Sequence, residues 1–298
     1  MAVHVLTKDL VGTLRYKHRI VFSVKMENEI YHLQNQFVEN LLEGILDPSS
    51  ITVIDEEDLQ RTVNDFLRSV ATPVLSCDDV FGRSSGNSFV HDLELSRVMH
   101  SFKERLFSVS ARPNFPNTED QLLDLKEKLH RLNQGLDVII YDLGIYGGRL
   151  VGYVVENAIR FGFNVAKVVT CITRKSGKER IENKFRDVDF PIETLKLEFD
   201  GGWDELRDII GLHGFLVESS NARNEEREEI ENGNFFIPYE EIIPWFSLPF
   251  KAVEKFKDIC GFYRCQLNSL FIKEQIPVTI RSVGHHEDLL VYALKRLF

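Results

Sequence analysis

No run of 18 or more apolar residues occurs in the 298-residue chain, so no membrane-spanning helix is expected. Excess positive charge is also missing. Lysine and arginine number 36 against 46 acidic residues, a net charge of −10, which excludes a general nucleic-acid coat because phosphate contacts need clustered cations. One basic pocket stays compatible with that balance. The opening Met-Ala-Val-His-Val-Leu-Thr-Lys-Asp lacks the charged-then-apolar order of a secretory signal, so the cytoplasm is the expected location. Cysteine is scarce: Cys77, Cys171, Cys260 and Cys265 offer no C-x2-C pair and no matching H-x3-H, which excludes a structural zinc site. Cys77 and Cys171 lie in apolar runs and read as small buried hydrophobes. Only nine prolines and three methionines accompany 22 phenylalanines, the composition of a well-packed chain with few long loops. The length allows one large domain or two smaller ones.

What is present centres on Val138-Ile-Ile-Tyr-Asp-Leu-Gly-Ile-Tyr-Gly-Gly-Arg149, followed by a helical pattern over residues 150–163. Apolar residues, an acid and three glycines within five positions read as a buried strand, a tight loop and a helix start. In α/β proteins that unit binds phosphates, because glycines let backbone N–H groups approach an anion at the positive end of the helix. Glycine used only for its backbone freedom is the alternative.

The run resembles the D-D-x-x-x-T-G-G-T motif of phosphoribosyltransferases of the common type. The second acid falls on Asp142, the glycine pair on Gly147 and Gly148, and the last threonine on Arg149. Tyr141 stands at the first acid, and Ile145 and Tyr146 where small or hydroxyl residues are usual. The resemblance implies an α/β fold with a central, mostly parallel sheet. It also implies a helical N-terminal portion over residues 1–70 and the transferase-like domain, with a C-terminal helical extension, over 71–298. The implied ligand is a ribose 5-phosphate donor, PRPP or a nucleotide, with Mg²⁺ and transfer or hydrolysis at the anomeric carbon. Asp142 would then orient the ribose, and Gly144, Tyr146, Gly147, Gly148 and Arg149 would hold the 5′-phosphate.

A second constellation, Asp78-Asp79-Val-Phe-Gly-Arg83-Ser-Ser-Gly86, has two adjacent acids after an apolar run. Under the same resemblance Asp78 and Asp79 are catalytic and hold Mg²⁺ or sugar hydroxyls. Arg83, with the basic cluster Arg174, Lys175, Lys178 and Arg180, is a candidate contact for pyrophosphate or a partner phosphate, a solvated loop being the alternative for the cluster. A solvated turn braced by Asp79 is the alternative. If both loops end strands of one sheet, Asp78, Asp79, Asp142 and Arg149 share a crevice.

Elsewhere the patterns predict strands at residues 20–24, 71–77, 164–172 and 194–199, and at 278–281. Helices are expected at 29–46, 56–70, 93–107, 118–132, 252–272 and 287–298. Thr173 to Gly177 reads as a polar break, residues 224–231 as an exposed acidic face, and the aromatic, proline-rich stretch 235–249 as an extended segment on the core. A Rossmann dinucleotide site fits poorly, because there is no G-x-G-x-x-G and no acid about 20 residues on. Two function classes stay open: an enzyme, or a degenerate nucleotide sensor or scaffold subunit with a homo-oligomeric or protein partner. Divergent members of this superfamily occur in bacterial conflict and defence loci.

Overall fold

The computed structural model describes residues 4–17, 20–44, 50–78, 80–84, 86–101, 106–111, 115–209, 215–218, 234–237 and 253–274. In chain order the first elements are β1 (His4–Thr7), α1 (Leu10–Gly12), a π-helical turn (Thr13–Lys17), α2 (Val24–Gly44), β2 (Ile51–Ile54) and α3 (Glu56–Ser69). There follow β3 (Val74–Ser76), α4 (Phe81–Ser84), β4 (Val90–Asp92), β5 (Leu95–Ser101), β6 (Leu106–Ala111), α5 (Thr118–Arg131) and β7 (Asp137–Ile145). Next come α6 (Arg149–Arg160), β8 (Asn164–Arg174), α7 (Lys175–Lys184) and β9 (Ile192–Phe199). The last are β10 (Trp203–Glu205), α8 (Leu206–Ile209), β11 (Phe215–Glu218), β12 (Asn234–Ile237) and α9 (Val253–Lys273). The protein is α/β, and the chain divides into two units, Met1–Glu56 with Gly201–Phe298, and Glu57–Asp200. Among the described residues no helix is long and apolar enough to cross a membrane.

In the first unit, β1 is the central strand of a parallel sheet ordered β10-β1-β2, with Val5 opposite Trp203 on one side and Thr52 on the other. Its Val5 and Leu6 are fully buried. Helix α2 buries Met26, Ile30, Phe37 and Leu41, four or seven residues apart on one face. That face meets α9, where the Phe37 and Tyr263 rings pack edge-on at 5.0 Å and Asn40 donates to the Tyr263 hydroxyl. Each fully buried side chain of this size contributes about 1.5–3 kcal/mol.

The second unit holds a five-stranded, all-parallel sheet ordered β4-β3-β7-β8-β9. Counted along the unit, that is the 2-1-3-4-5 order of a doubly wound sheet. β7 reads as a nearly continuous apolar run because both of its faces are covered. One face packs Val138 and Ile140 against Leu122, Leu125 and Leu129 of α5 and Val151, Val154, Val155 and Ala158 of α6. On the other lies α3, whose Phe66 ring meets Tyr141 at 6.1 Å and whose Asp58 accepts from Lys196 at 2.9 Å.

Several expectations are corrected. Residues 93–107 do not form a helix: β5 and β6 pair as an antiparallel hairpin there. In Leu95-Ser-Arg-Val-Met-His-Ser the leucine, arginine and methionine alternate with small or β-branched residues, a period of two that spaced leucines upstream obscured. Residues 20–23 form no strand, and α2 begins at Val24. β8 continues through Thr173 to Arg174 and α7 starts at Lys175, so no polar break opens there. The N-terminal 70 residues contain two strands as well as helices, and the contact pattern divides the chain after Glu56 and Asp200, not at 70. The expected elements at 278–281 and 287–298, the acidic run 224–231 and most of 235–249 lie outside the described residues.

Candidate functional site

In a sheet of this order, the chain leaves β3 toward β4 on one side and returns to β7 on the other. As a general rule, sheets of this order take ligands outside the carboxyl ends of the strands at such a boundary, here between β3 and β7. Asp78 and Asp142, one from each sequence constellation, come to that boundary. Ser76 lies opposite Tyr141, and the Cys77 N–H donates to the Tyr141 carbonyl at 2.7 Å. Asp78 follows that rung on one strand and Asp142 on the other.

Asp78 is 3% exposed and caps α4. Its carboxylate accepts the N–H groups of Val80 at 3.2 Å, Phe81 at 2.9 Å and Gly82 at 3.3 Å. A Cβ on Gly82 would press on the Ser76 hydroxyl, so a larger residue there would have to displace that side chain. Asp142 is buried to within 9% of full exclusion. Burial, then Asp142 and Asp78, hold the Cys77 thiol well above its ordinary range. The same burial, with Asp78 first among the charges, raises the fully buried Tyr141 phenol. Its hydroxyl faces Asp78 without a hydrogen bond of acceptable geometry. Cys77, Asp78, Tyr141 and Asp142 thus form one electrostatically linked group. A polar row continues from it: the register sets Asp142 beside Thr170 and Thr170 beside Thr194. There the Thr173 hydroxyl meets those of Thr170 and Thr194, both at 2.6 Å.

The glycine loop is shorter than expected. Gly144 is paired with Ile172 inside the sheet, and β7 continues through Ile145, leaving only residues 146–148 before α6. Among the described residues, the N–H groups of Tyr146, Gly147, Gly148 and Arg149 donate to no backbone acceptor. Gly148, at φ +72°, is the α6 N-cap and offers no side chain to satisfy them. It must be glycine for a second reason: a Cβ would lie 2.6 Å from the Gly177 carbonyl oxygen. A Cβ on Gly177 would in turn overlap the Tyr146 carbonyl, so the starts of α6 and α7 touch through two glycines.

Those two starts differ from that of α5. Asn117 caps α5 by accepting the Asp120 N–H at 2.8 Å, and Glu119 and Asp120 occupy its first turn, as the helix dipole favours. Neither α6 nor α7 has a side-chain cap or an acid in its first turn. Basic residues surround them instead. The Arg174 guanidinium lies 4.6 Å from the centre of the Tyr146 ring, and Arg180 donates to the Gly147 carbonyl at 2.8 Å. Lys175 pairs with Asp200 at 3.1 Å and Lys178 with Glu198 at 3.2 Å.

Of the residues singled out in the sequence, Asp78 and Asp142 lie near one another at the β3/β7 boundary, while Tyr146, Gly147, Gly148 and Arg149 form the adjoining loop and helix start. Arg174 joins them, Lys175 is turned to Asp200, Gly144 lies within the strand, and Arg83 sits in α4. Asp79 lies outside the described residues. Arg180 belongs to the basic cluster expected as a phosphate contact, whereas Gly177 and the threonines 170, 173 and 194 escaped the sequence reading. Gly177, in the third position of a helix, was the one visible signal among them. Asp78 does not fit a direct metal ligand, since its oxygens accept three backbone N–H groups. Neither a family model nor a curated protein sequence matches the chain.

Proposed function

We propose that the Glu57–Asp200 unit binds a ribose 5-phosphate ligand, PRPP or a nucleotide, at the carboxyl edge between β3 and β7. One observation carries the reading: the N–H groups of residues 146–149 at the α6 start lack backbone acceptors among the described residues, beside the nearly buried Asp142. A phosphate supplies those acceptors and the negative charge that the helix end favours. Asp142 accepts the ribose hydroxyls, each a charge-assisted hydrogen bond. Mg²⁺ comes with the ligand's phosphates, as is usual for an ion that keeps most of its waters. If turnover occurs, the donors around the loop stabilise the charge that develops as the anomeric bond breaks.

A second reading, binding without turnover, is favoured by Tyr141. It takes the place of the first acid, and its ring packs against Phe66, so one of the two carboxylates that grip the ribose in the resembled family is missing. Calorimetric titration of PRPP with and without Mg²⁺, followed by a pyrophosphate-release assay, separates the two. Binding that Asp142→Asn removes supports the site, and pyrophosphate release makes it an enzyme. Binding without release makes it a sensor, and absence of binding rejects both.

A further inference from the structure

We infer that the 5′ end of the ligand carries more than one phosphoryl group, gripped by Arg149, Arg174 and Arg180, so that the site prefers a nucleoside 5′-diphosphate to a 5′-monophosphate. This rests on the ribose-phosphate reading and names the ligand class within it. The argument begins with charge pairing on one surface. The lysines of α7, β8 and β9 all meet carboxylates: Lys167 with Glu193, Lys175 with Asp200, Lys178 with Glu198, Lys184 with Glu156 and Lys196 with Asp58. The three arginines beside residues 146–148 do not pair with a carboxylate among the described residues.

Each of the three is placed by something other than a counter-charge. Arg174 lies over the Tyr146 ring, and Arg180 is tied to the Gly147 carbonyl. Arg149 is the first residue of α6, where a cation works against the helix dipole. In a chain with ten more acids than bases, three such guanidinium groups at one short loop leave a concentrated positive charge without a matching anion. A single phosphate is satisfied by the loop N–H groups and one arginine fork. Three forks, each able to take two oxygens, suit a chain of phosphoryl groups. Tyr146, still 36% exposed, acts as a positioning residue, because its ring holds the Arg174 guanidinium by a cation–π contact.

The test titrates ribose 5-phosphate, AMP and ADP into the full chain at fixed ionic strength. ADP is expected to bind on the order of tenfold more tightly than AMP, the scale of one added charge-assisted contact. Arg174→Ala and Arg180→Ala should bring ADP down toward AMP while leaving AMP nearly unchanged. Tyr146→Ala should weaken ADP, and Tyr146→Phe, which keeps the ring, should restore it. A positioning role predicts that rescue, and a merely structural one does not. Equal affinities for AMP and ADP, or equal losses of both in the arginine variants, would overturn the inference and leave the ribose-phosphate reading standing. Failure of all three ligands to bind would end that reading as well.

Discussion

Two helix starts follow central parallel strands in this protein, one after β1 and one after β7, and they are finished in opposite ways. After β1, the Gln34 side chain accepts the Leu10 N–H at 3.0 Å, and Glu56 accepts those of Val11 and Gly12. Asp9, fully buried beside them, accepts the Arg207 N–H and pairs with its guanidinium, both at 3.0 Å. That start is closed by the chain's own carboxylates and amide. After β7, the corresponding N–H groups have no such partner among the described residues, and arginines rather than acids stand around them. The same architecture thus serves as a sealed internal joint in one unit and as a receptor for an outside anion in the other. What differs is whether the fold supplies the acceptor.

The comparison can be broken most forcefully at the sealed end. Arg207→Met leaves Asp9 buried without its cation and should cost about 3–5 kcal/mol, read as a lower midpoint in urea denaturation, without altering ligand affinity. Glu56 gives a pH-dependent version of the same test. Burial is the main cause that raises its carboxyl to about 8, against the lowering effect of the Gly12 and Val11 amides. The folded state therefore favours the protonated form. Its contribution is fully present below the unfolded carboxyl range and is lost as pH rises through about 8. Wild-type stability should fall across that window, by about 5 kcal/mol at most from this group, while Glu56→Gln should show a flatter profile. Equal slopes for the two proteins would mean that Glu56 is not the group responsible.

At the open end the effects on stability should be smaller and those on binding larger. Gly148→Ala places a Cβ at φ +72° against the Gly177 carbonyl and should cost about 2–3 kcal/mol, with ligand affinity lost together with the loop geometry. Asp142→Asn keeps the shape and should change stability by about 1 kcal/mol or less. Its ligand affinity should fall about 10- to 100-fold, the worth of a hydrogen bond to a charged group. Denaturation and calorimetry on the same preparations give both numbers. A large loss of stability with unchanged binding would assign Asp142 to the core alone.

How far the sequence foretold this depends on the range of the interactions. The β7–loop–α6 unit was legible because its signals are local: an apolar run, an acid, and glycines just before a helical pattern. The placement of Asp78 and Asp142 at one strand boundary required the strand order, which no local pattern encodes, although both acids were visible as strand endings. The role of Asp78 as the α4 cap was hidden because its partners are backbone N–H groups. Arg180 was visible as one of a basic cluster, but its hold on a loop some 30 residues earlier, and that of Gly177, come only from the fold. The β5–β6 hairpin was misread because leucines around 93–106 fit a helical period as well as a strand period over so short a window. The sealed joint was missed entirely. Glu56 lies more than 40 residues from the amides it caps, and Arg207 almost 200 from Asp9.

Amide hydrogen exchange in the presence of ribose 5-phosphate tests the contrast between the two helix starts most directly. Saturating ligand should slow exchange at residues 146–149 and leave residues 10–12 unchanged, and Asp142→Asn should need about 10- to 100-fold more ligand for the same slowing. Unchanged exchange at 146–149, or slowing at residues 10–12 instead, would contradict the assignment of the α6 start as the open, ligand-binding end.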